Sequence, residues 1–332
     1  WARHIGDIEV AHWPVRADSG EHRTVLLTNC GGVERGVWGS KQAPAGPTVD
    51  PDGSAVKPHR VLCVSEARDE YRLSIDGAIH RPLQHPLTHT INPMSGAPLR
   101  WQRSTLVAED SCDLAEPTMV AADSWLVIDG AVLALDAHRA RFAAAVGSAV
   151  APAELAAFWD ATIAAIPVEG LWFPRVEFEM VRGAPRLSTR IRPAPERRTT
   201  ALLATWTGAD PRTSPTIKGP DLAAMQRLRT AVQALGADEA VILDRDGLVV
   251  EGAYSALVWW RNGVLHTPPA SFARIPCGTE VQMLKLAREF DIAVLEEAVP
   301  PAALDGTEVW VCSALHGIRV ATAWVDGPAL AV

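Results

Sequence analysis

Residues 236–260 read GADEAVILDRDGLVVEGAYSALVWW, and this stretch decides how the C-terminal part of the chain folds. Two apolar runs, EAVILD and GLVVEGAYSALVWW, lie on either side of the turn DRDG. Runs rich in Val, Leu and Trp that are bounded by Asp and Gly are typical of β-strands joined by a tight turn. We therefore predict two strands here, the second of which contains one acidic residue, Glu251.

The neighbouring segments extend this hairpin into an α+β unit. Upstream, DLAAMQRLRTAVQALG (221–236) has the spacing of a helix and ends at a Gly. Downstream, the turn RNG leads into a short strand, a helix is predicted from about Thr279, and two strands follow around IAVLEEAV and EVWVCSA. The unit opens at Lys218, after the polar link TGADPRTSPT (207–216).

A second α+β unit precedes that link. From Met119 the sequence predicts a strand, a turn at Asp129-Gly130, another strand and a helix that starts near Asp136. Residues 152–166 have helical spacing, and the segments LWFPRVEFEMV and RLSTRIRPAP alternate as two further strands. This order predicts a sheet with helices on one side.

The first 115 residues are the least informative part of the chain. They contain short β-like runs at 23–30, 59–67 and 70–79, and a loop rich in Pro, Gly and Asp at 41–58. We predict a β-rich segment of unknown role at 1–115, a small α+β domain at 116–207 and a larger α+β domain at 208–332.

Composition narrows the class of protein. The net charge is -8 and neither Lys nor Arg forms a dense run, which argues against a nucleic-acid partner. Because no stretch of 18 apolar residues or signal-peptide pattern occurs, we expect a cytoplasmic protein without a membrane partner. The five cysteines have no CxxC spacing, so neither a disulfide framework nor a metal site is indicated.

Five segments carry a resemblance to a known family. They are ADSWLVIDG with ALDAHRARF, TIKGPDL, GADEAVILDRDGLVVEGAYS, NGVLHTPP with IPCGTE, and EVWVCSALHGIRV. In this order and at these intervals they resemble the class IV aminotransferases, over residues of about 117–328. The resemblance implies the two-domain architecture of the fold-type IV enzymes that use pyridoxal 5'-phosphate (PLP), here with the additional N-terminal segment.

The resemblance also implies how PLP would be held. Lys218, one of only four lysines in the chain, matches the lysine that forms the Schiff base and moves the proton at the substrate Cα. Glu251 matches the glutamate that faces the pyridine nitrogen. Arg141 matches the arginine that binds the phosphate, and Arg139, two residues earlier, is the weaker alternative.

Further positions match the phosphate site and its surroundings. Gly278 and Thr279 lie where the family uses backbone amides at the N-terminus of a helix to bind the phosphate, an anion that the helix dipole favours. Ser313 matches a side chain that also reaches the phosphate. Ser255 matches the serine of a Ser-Asn pair that helps to order the site.

The chain departs from the family pattern at several positions. Ala256 replaces the asparagine of the Ser-Asn pair, and Glu280 would weaken phosphate binding unless its side chain points away. Ala223 replaces a tyrosine that contacts the cofactor in branched-chain enzymes. Tyr254 could substitute for it, but its parity relative to Glu251 along the strand argues against this.

Substrate binding is less defined than cofactor binding. Arg175, Arg190 and Arg192 are candidates to hold a substrate carboxylate, since arginine suits bidentate recognition, although all three could instead be solvated strand residues.

The resemblance implies an aminotransferase that moves an amino group between an amino acid and a keto acid through the Lys218 Schiff base. One alternative is a lyase similar to aminodeoxychorismate lyase, which acts on an amino-chorismate-type substrate and expels pyruvate. Another is a non-catalytic or cofactor-free member of the fold. The family also implies a homodimer.

Overall fold

The computed structural model describes residues 2–5, 8–16 and 22–30 by their backbone, and residues 96–109 and 116–331 with their side chains. The chain divides into two compact units, residues 1–81 and 82–332. In the first unit, three antiparallel strands are described: β1 (Ala2–Ile5), β2 (Ile8–Arg16) and β3 (His22–Cys30). The predicted strand at 23–30 is confirmed, whereas the predictions for 41–58, 59–67 and 70–79 lie outside the described residues.

The second unit begins with a sheet covered by two helices. Its elements are β4 (Pro98–Gln102), β5 (Thr105–Ala108), β6 (Thr118–Ser124), β7 (Val127–Ile128), β8 (Ala131–Val132), α1 (Leu135–Val146), α2 (Pro152–Ala164), β9 (Leu171–Trp172), β10 (Arg175–Val181) and β11 (Ala184–Arg190). Strands in the order β5-β4-β11-β10-β6 form an antiparallel sheet, which we call the small sheet. The predicted helices and the turn at Asp129-Gly130 are confirmed.

Aromatic packing holds the two helices on the small sheet. Trp125 stacks on Trp159 of α2 with ring centroids 4.9 Å apart, and Phe142 of α1 meets Trp159 edge-on. Strands β10 and β11 contribute apolar side chains to the same core, including Val176 and Leu187. The side chains that alternate with these in β10 and β11 therefore point away from the helices.

The small sheet begins earlier in the sequence than we predicted. Strands β4 and β5 lie before residue 116, and β4 pairs with β11, with Arg100 opposite Ser188. No strand was predicted in this segment, because residues 98–108 contain several polar side chains and no Asn-Gly or Asp-Gly turn. The predicted boundary at residue 115 therefore falls after two strands of the same sheet.

A larger mixed sheet follows. Its elements are β12 (Thr200–Thr205), α3 (Leu222–Gln233), β13 (Glu239–Leu243), β14 (Val249–Gly252), β15 (Ala256–Arg261), β16 (Val264–Thr267), α4 (Gly278–Glu289), β17 (Val294–Glu296), β18 (Glu308–Ser313) and β19 (Gly317–Val325). The strand order is β14-β13-β12-β19-β18-β15-β16-β17, and we call this the large sheet. The predicted helices and the predicted strands β13, β16, β17 and β18 are confirmed. The run GLVVEGAYSALVWW, which we predicted as one strand, forms two strands instead, β14 and β15, separated by residues 253–255.

Two central strands of the large sheet, β12 and β19, were not predicted. Strand β12 pairs in parallel with both β13 and β19, so it joins segments that are far apart in sequence. The six residues TALLAT are too short to show a strand period by themselves. Only the pairing with two neighbours defines β12 as a strand.

Hydrogen bonds within the DRDG turn explain the hairpin between β13 and β14. The Asp244 carboxylate accepts hydrogen bonds from the amides of Asp246 and Leu248, each at 2.9 Å. Gly247 has a φ of 80°, a conformation that glycine adopts without steric cost. Strands β13 and β14 are thereby placed side by side, with Ile242 opposite Glu251.

The two sheets meet at the edge of β6. The Ala122 amide donates a hydrogen bond of 2.7 Å to the Lys218 carbonyl. The next residue, Gly219, has a φ of 137°, and a Cβ atom at this position would lie 2.6 Å from the Ala122 nitrogen. Only glycine fits between Lys218 and β6. Within residues 96–109 and 116–331, no helix is long and apolar enough to span a bilayer.

We predict that Gly219→Ala destabilises the protein by at least about 2 kcal/mol, because the added methyl group contacts backbone atoms that cannot move independently. The matched control is Gly236→Ala after α3, where φ is also positive, at 82°, but no atom lies within 4 Å of the added Cβ. That control should cost about 1 kcal/mol. Urea denaturation followed by tryptophan fluorescence measures both values, and equal losses would contradict the close approach to β6.

Candidate active site

A cavity of about 440 Å³ lies at the junction of the two sheets. Its wall is formed by β6, by α1, by the segment before α3 and by Pro276. The residues that line it include Ala122, Asp123, Arg141 and Lys218. The predicted lysine and the predicted phosphate-binding arginine therefore share one cavity.

Lys218 lies in an environment that favours its neutral form. Burial lowers the pKa of its amine, and the charge of Arg141 lowers it further, against the opposing effects of Asp123, Cys277 and Glu251. A neutral amine is the nucleophilic form of lysine. The charges of both Arg141 and Glu251 therefore act on the lysine.

Arg141 is held by a buried carboxylate that the sequence analysis did not single out. Its Nε and Nη2 atoms donate to Asp123 at 2.8 and 2.7 Å, and Nη1 donates to the Pro276 carbonyl. His138 Nδ1 lies 2.9 Å from the same carboxylate. Arg139, the weaker candidate, instead pairs with Asp160 at 2.9 Å and lies over the ring of Trp159.

Asp123 remains ionised despite its complete burial. Burial by itself raises the pKa of this carboxyl, but the hydrogen bond with His138 and the charge of Arg141 outweigh that effect, and the pKa falls to about 2. The acidic residue within the apolar run VAADSWLV is a signal that sequence reasoning could have used.

Glu251 is also buried and also paired with an arginine. Its Oε1 accepts a hydrogen bond from Arg212, and its Oε2 accepts one of 3.3 Å from the Ile275 amide. Burial raises the pKa of Glu251 to about 8, against the opposing charge of Arg212. Arg212 is itself fixed by Asp210, to which Nη2 donates at 2.7 Å. Nothing in the polar link around Arg212 indicated this contact in the sequence.

The N-terminus of α4 faces the end of β18 in the same region. The Thr279 hydroxyl donates to the Ser313 carbonyl at 3.0 Å, and the Ser313 hydroxyl accepts a hydrogen bond from the His316 amide. A Cβ atom on Gly278 would lie 3.2 Å from His138 Nε2. The predicted residues Gly278, Thr279 and Ser313 are therefore neighbours, and α4 begins next to the Asp123 pair.

Glu280, in the first turn of α4, is neutralised. Its carboxylate accepts hydrogen bonds from Thr267 at 2.6 Å and from Arg274 at 2.7 Å. The side chain is buried in this arrangement. The first turn of α4 consequently carries no unpaired negative charge that would repel an anion.

The family model for Amino-transferase class IV matches residues 121–324. The chain belongs to the class IV aminotransferase family. It is similar to the branched-chain-amino-acid aminotransferase of Escherichia coli (strain K12), with 32% identity over 101 residues, which are 30% of this chain and 33% of the relative. A putative branched-chain-amino-acid aminotransferase of Methanocaldococcus jannaschii is 44% identical over 62 residues, 19% of this chain and 22% of the relative.

Solved structures show the same fold-type IV architecture. The structure of a branched-chain amino acid aminotransferase from Escherichia coli has a TM-score of 0.59 and 17% identity, and the match covers 69% of this chain and 86% of that one. A fold IV transaminase from Curtobacterium pusillum has a TM-score of 0.58 and 16% identity, with 71% and 92% covered. In sequence, the matched segment spans about a third of the length of the E. coli relative.

Two departures from the class IV pattern have a structural account. Ala256 begins β15 and pairs with Cys312, so a small side chain packs inside the large sheet. Tyr254 donates to Gln226 of α3 at 3.0 Å and packs among the apolar residues under that helix. The Tyr254 side chain therefore points towards α3, as expected from its odd spacing from Glu251 along the strand, which argued against Tyr254 as a substitute for the cofactor-contacting tyrosine.

Four predicted residues remain: Ser255, between β14 and β15, and three arginines on or just after the strands of the small sheet. Ser255 is buried in a tight turn, where its carbonyl accepts a 2.8 Å hydrogen bond from the Gly252 amide. Arg175 and Arg190 contact the Glu177 carboxylate at 2.8 and 3.3 Å, whereas Arg192 donates to the Phe173 carbonyl at 3.0 Å. Their roles in binding stay predictions.

We predict that Asp123→Asn lowers the free energy of unfolding by about 2 kcal/mol at pH 7, as expected for a carboxyl whose pKa falls from 3.8 to about 2 on folding. Since the folded pKa is the lower one, the contribution is complete above pH 4 and disappears as the pH falls towards 2. Urea denaturation between pH 7 and pH 2.5 measures the difference.

The control for this experiment is Asp160→Asn, which removes an exposed carboxylate that also pairs with an arginine. We expect this variant to have nearly the stability of the natural protein at every pH. A loss in Asp123→Asn that is independent of pH would contradict the ionised state of Asp123.

Proposed function

We propose that this protein is a PLP-dependent aminotransferase that moves an amino group between an amino acid and a keto acid. The observation that carries the proposal is that Lys218 and Arg141 line one cavity, and that Arg141 and Glu251 bind the adjacent residues Pro276 and Ile275 just before α4. Membership of the class IV family and the PLP-bound form of a structural neighbour, a hypothetical aminotransferase from Mycobacterium tuberculosis, support it.

The residues present fit the chemical groups of PLP. Arg141 and the first amides of α4, which no side chain caps, would hold the phosphate. Glu251 is a buried carboxyl with a raised pKa, which suits a group that shares a proton with the pyridine nitrogen. Lys218 is the only lysine described in the cavity. The bound cofactor would withdraw electrons from the substrate Cα.

The chain itself supplies positioning and proton transfer. The hydrogen bond between Lys218 and Ala122 fixes the backbone of the lysine, so its amine can carry a proton to and from the substrate Cα. Arg212 holds one oxygen of Glu251 in place, and its partner Asp210 keeps Arg212 oriented. Asp123 orients Arg141 in the same way, because it binds two nitrogens of the guanidinium.

Homodimer formation and a cytoplasmic location stay predictions. The lyase alternative would use the same lysine and carboxyl groups. The two reactions are therefore distinguished by the product that is released and not by the residues of the site. The cofactor-free alternative is opposed by the joint presence of Lys218, Glu251 and Arg141, the three residues that match the family's cofactor site.

We predict that the purified protein acquires the visible absorption band of lysine-bound PLP, and that Lys218→Ala loses this band because it lacks the amine that binds the cofactor. The matched control is Lys285→Ala, which removes an exposed lysine paired with Glu289 on α4 and should keep the band. An amino acid should bleach the band and a keto acid should restore it.

Two results would overturn the proposal. Release of pyruvate from aminodeoxychorismate, without recovery of the band by a keto acid, would identify a lyase. Absence of the band in the natural sequence at saturating PLP would identify a cofactor-free member of the family.

A further inference from the structure

Four arginines surround His316, which lies in the turn between β18 and β19 of the large sheet. Arg197 and Arg198 belong to the link between β11 and β12, Arg229 belongs to α3 and Arg319 to β19. Burial and the charges of all four arginines lower the pKa of His316 to about 4, so the four guanidinium groups lie near the imidazole. We call these five residues the His316 cluster. They are separate from the residues that line the cavity of the candidate active site.

Hydrogen bonds fix the orientation of His316. Its Nδ1 atom accepts a hydrogen bond of 3.1 Å from the Arg198 amide, and its carbonyl accepts one of 3.5 Å from Arg197. The His316 amide donates to the Ser313 hydroxyl at 3.2 Å. Because His316 is neutral at pH 7 and Nδ1 is an acceptor, the ring hydrogen is on Nε2. The imidazole therefore offers an N–H donor to a ligand.

Two of the four arginines pair with carboxylates of β13. Arg198 donates to Asp238 at 2.5 Å. Arg319 is 3.4 Å from one oxygen of Glu239, whose other oxygen accepts a hydrogen bond of 3.1 Å from the Tyr254 amide. The Arg319 side chain is only 4% exposed, and its Nε atom has no hydrogen-bond partner in the described part of the chain. Glu239 thus satisfies the Arg319 guanidinium only in part.

Arg229 has a different environment from these paired arginines. It is half-buried, and its guanidinium lies 5.7 Å from the centre of the Tyr254 ring. Among the residues described with side chains, no carboxylate forms an ion pair with it. Burial lowers the pKa of Arg319, and the charge of Arg229 adds to that effect against Glu239, so the two guanidinium groups repel each other. An anion bound between them would relieve this repulsion.

We propose that the His316 cluster is a second anion site, which binds the phosphate group of a phosphorylated small molecule. Donors from three segments face it: Arg198 from the link, Arg229 from α3 and the His316 Nε2 atom from the turn after β18. Donors that approach from several directions suit a tetrahedral group with three acceptor oxygens, and arginine binds phosphate through two parallel hydrogen bonds. The inference is independent of the proposed aminotransferase function, because no residue of the cluster is assigned to PLP.

Calorimetry with the full chain tests the site, with inorganic phosphate as the probe at about pH 8, where it is mostly a dianion. Phosphate binding should saturate, and Arg229→Ala and Arg198→Ala should each weaken it by about 10-fold. Arg229→Lys should retain part of the affinity, because it keeps the charge but loses the planar fork. Absence of saturable binding in the natural sequence would overturn the proposal.

The matched control is Arg227→Ala, which removes an exposed arginine from α3 two residues before Arg229. This variant should bind phosphate like the natural sequence. A loss as large as that in Arg229→Ala would mean that phosphate responds only to the overall charge of the helix, and would overturn the proposal.

NMR of the histidine side chains locates the bound phosphate, with His316→Gln to assign the signal. Phosphate should raise the pKa of His316 from about 4 towards its ordinary value of 6.5, because the anion offsets the arginine charges. Arg141→Lys, which alters the predicted cofactor phosphate site but keeps a charge beside Asp123, should leave this response intact. A response lost in Arg141→Lys and kept in Arg229→Ala would place the phosphate at the cofactor site and overturn the proposal.

The same NMR signal tests the class of ligand. Methyl phosphate, a monoester, should move the His316 signal at least as strongly as inorganic phosphate does, whereas acetate at the same concentration should have little effect. Equal responses to acetate and phosphate would overturn the assignment to a phosphate group. A response to inorganic phosphate but none to methyl phosphate would overturn the assignment to a phosphorylated molecule.

Discussion

The hydrogen bond from the Ala122 amide to the Lys218 carbonyl is the constraint on which the site depends. It joins the edge strand of the small sheet to the segment that opens the large sheet, so the lysine is fixed relative to both. Gly219 makes this approach possible, because any side chain there would meet the backbone of β6. The cavity, the Arg141 pair and the start of α4 are all arranged around this junction.

The buried carboxyl groups at the junction share one property: each has an arginine partner. Asp123, Glu251 and Glu280 are each removed from water, and each is paired with an arginine that a different segment supplies. Because the Asp123 carboxyl is ionised, removing Asp123 or Arg141 would leave an uncompensated buried charge, which destabilises the protein. These pairs therefore fix the relative positions of the segments that meet here. Glu177 differs, because two arginines, Arg175 and Arg190, contact its carboxylate.

Sequence reasoning found the elements with strong local signals. The hairpin around DRDG, the helix ending at Gly236 and the helix beginning at Gly278 were all visible as apolar periods bounded by turn residues. Strands β4, β5, β12 and β19 were missed. The first three are short, and β4, β12 and β19 each pair with a strand distant in sequence. Arg212 was missed for a related reason: a polar link contains many charged residues, and nothing local shows which of them turns inward.

The sequence by itself determined the family, the fold class and the candidates Lys218, Arg141 and Glu251, because these depend on the order and spacing of motifs along the chain. Only the tertiary structure decided how the charges are paired. Asp123 binds Arg141. The Glu280 carboxylate, in the first turn of α4, pairs with Arg274 and is therefore not left as a free negative charge there. Such contacts form between segments that the chain brings together only on folding, and no local pattern encodes them.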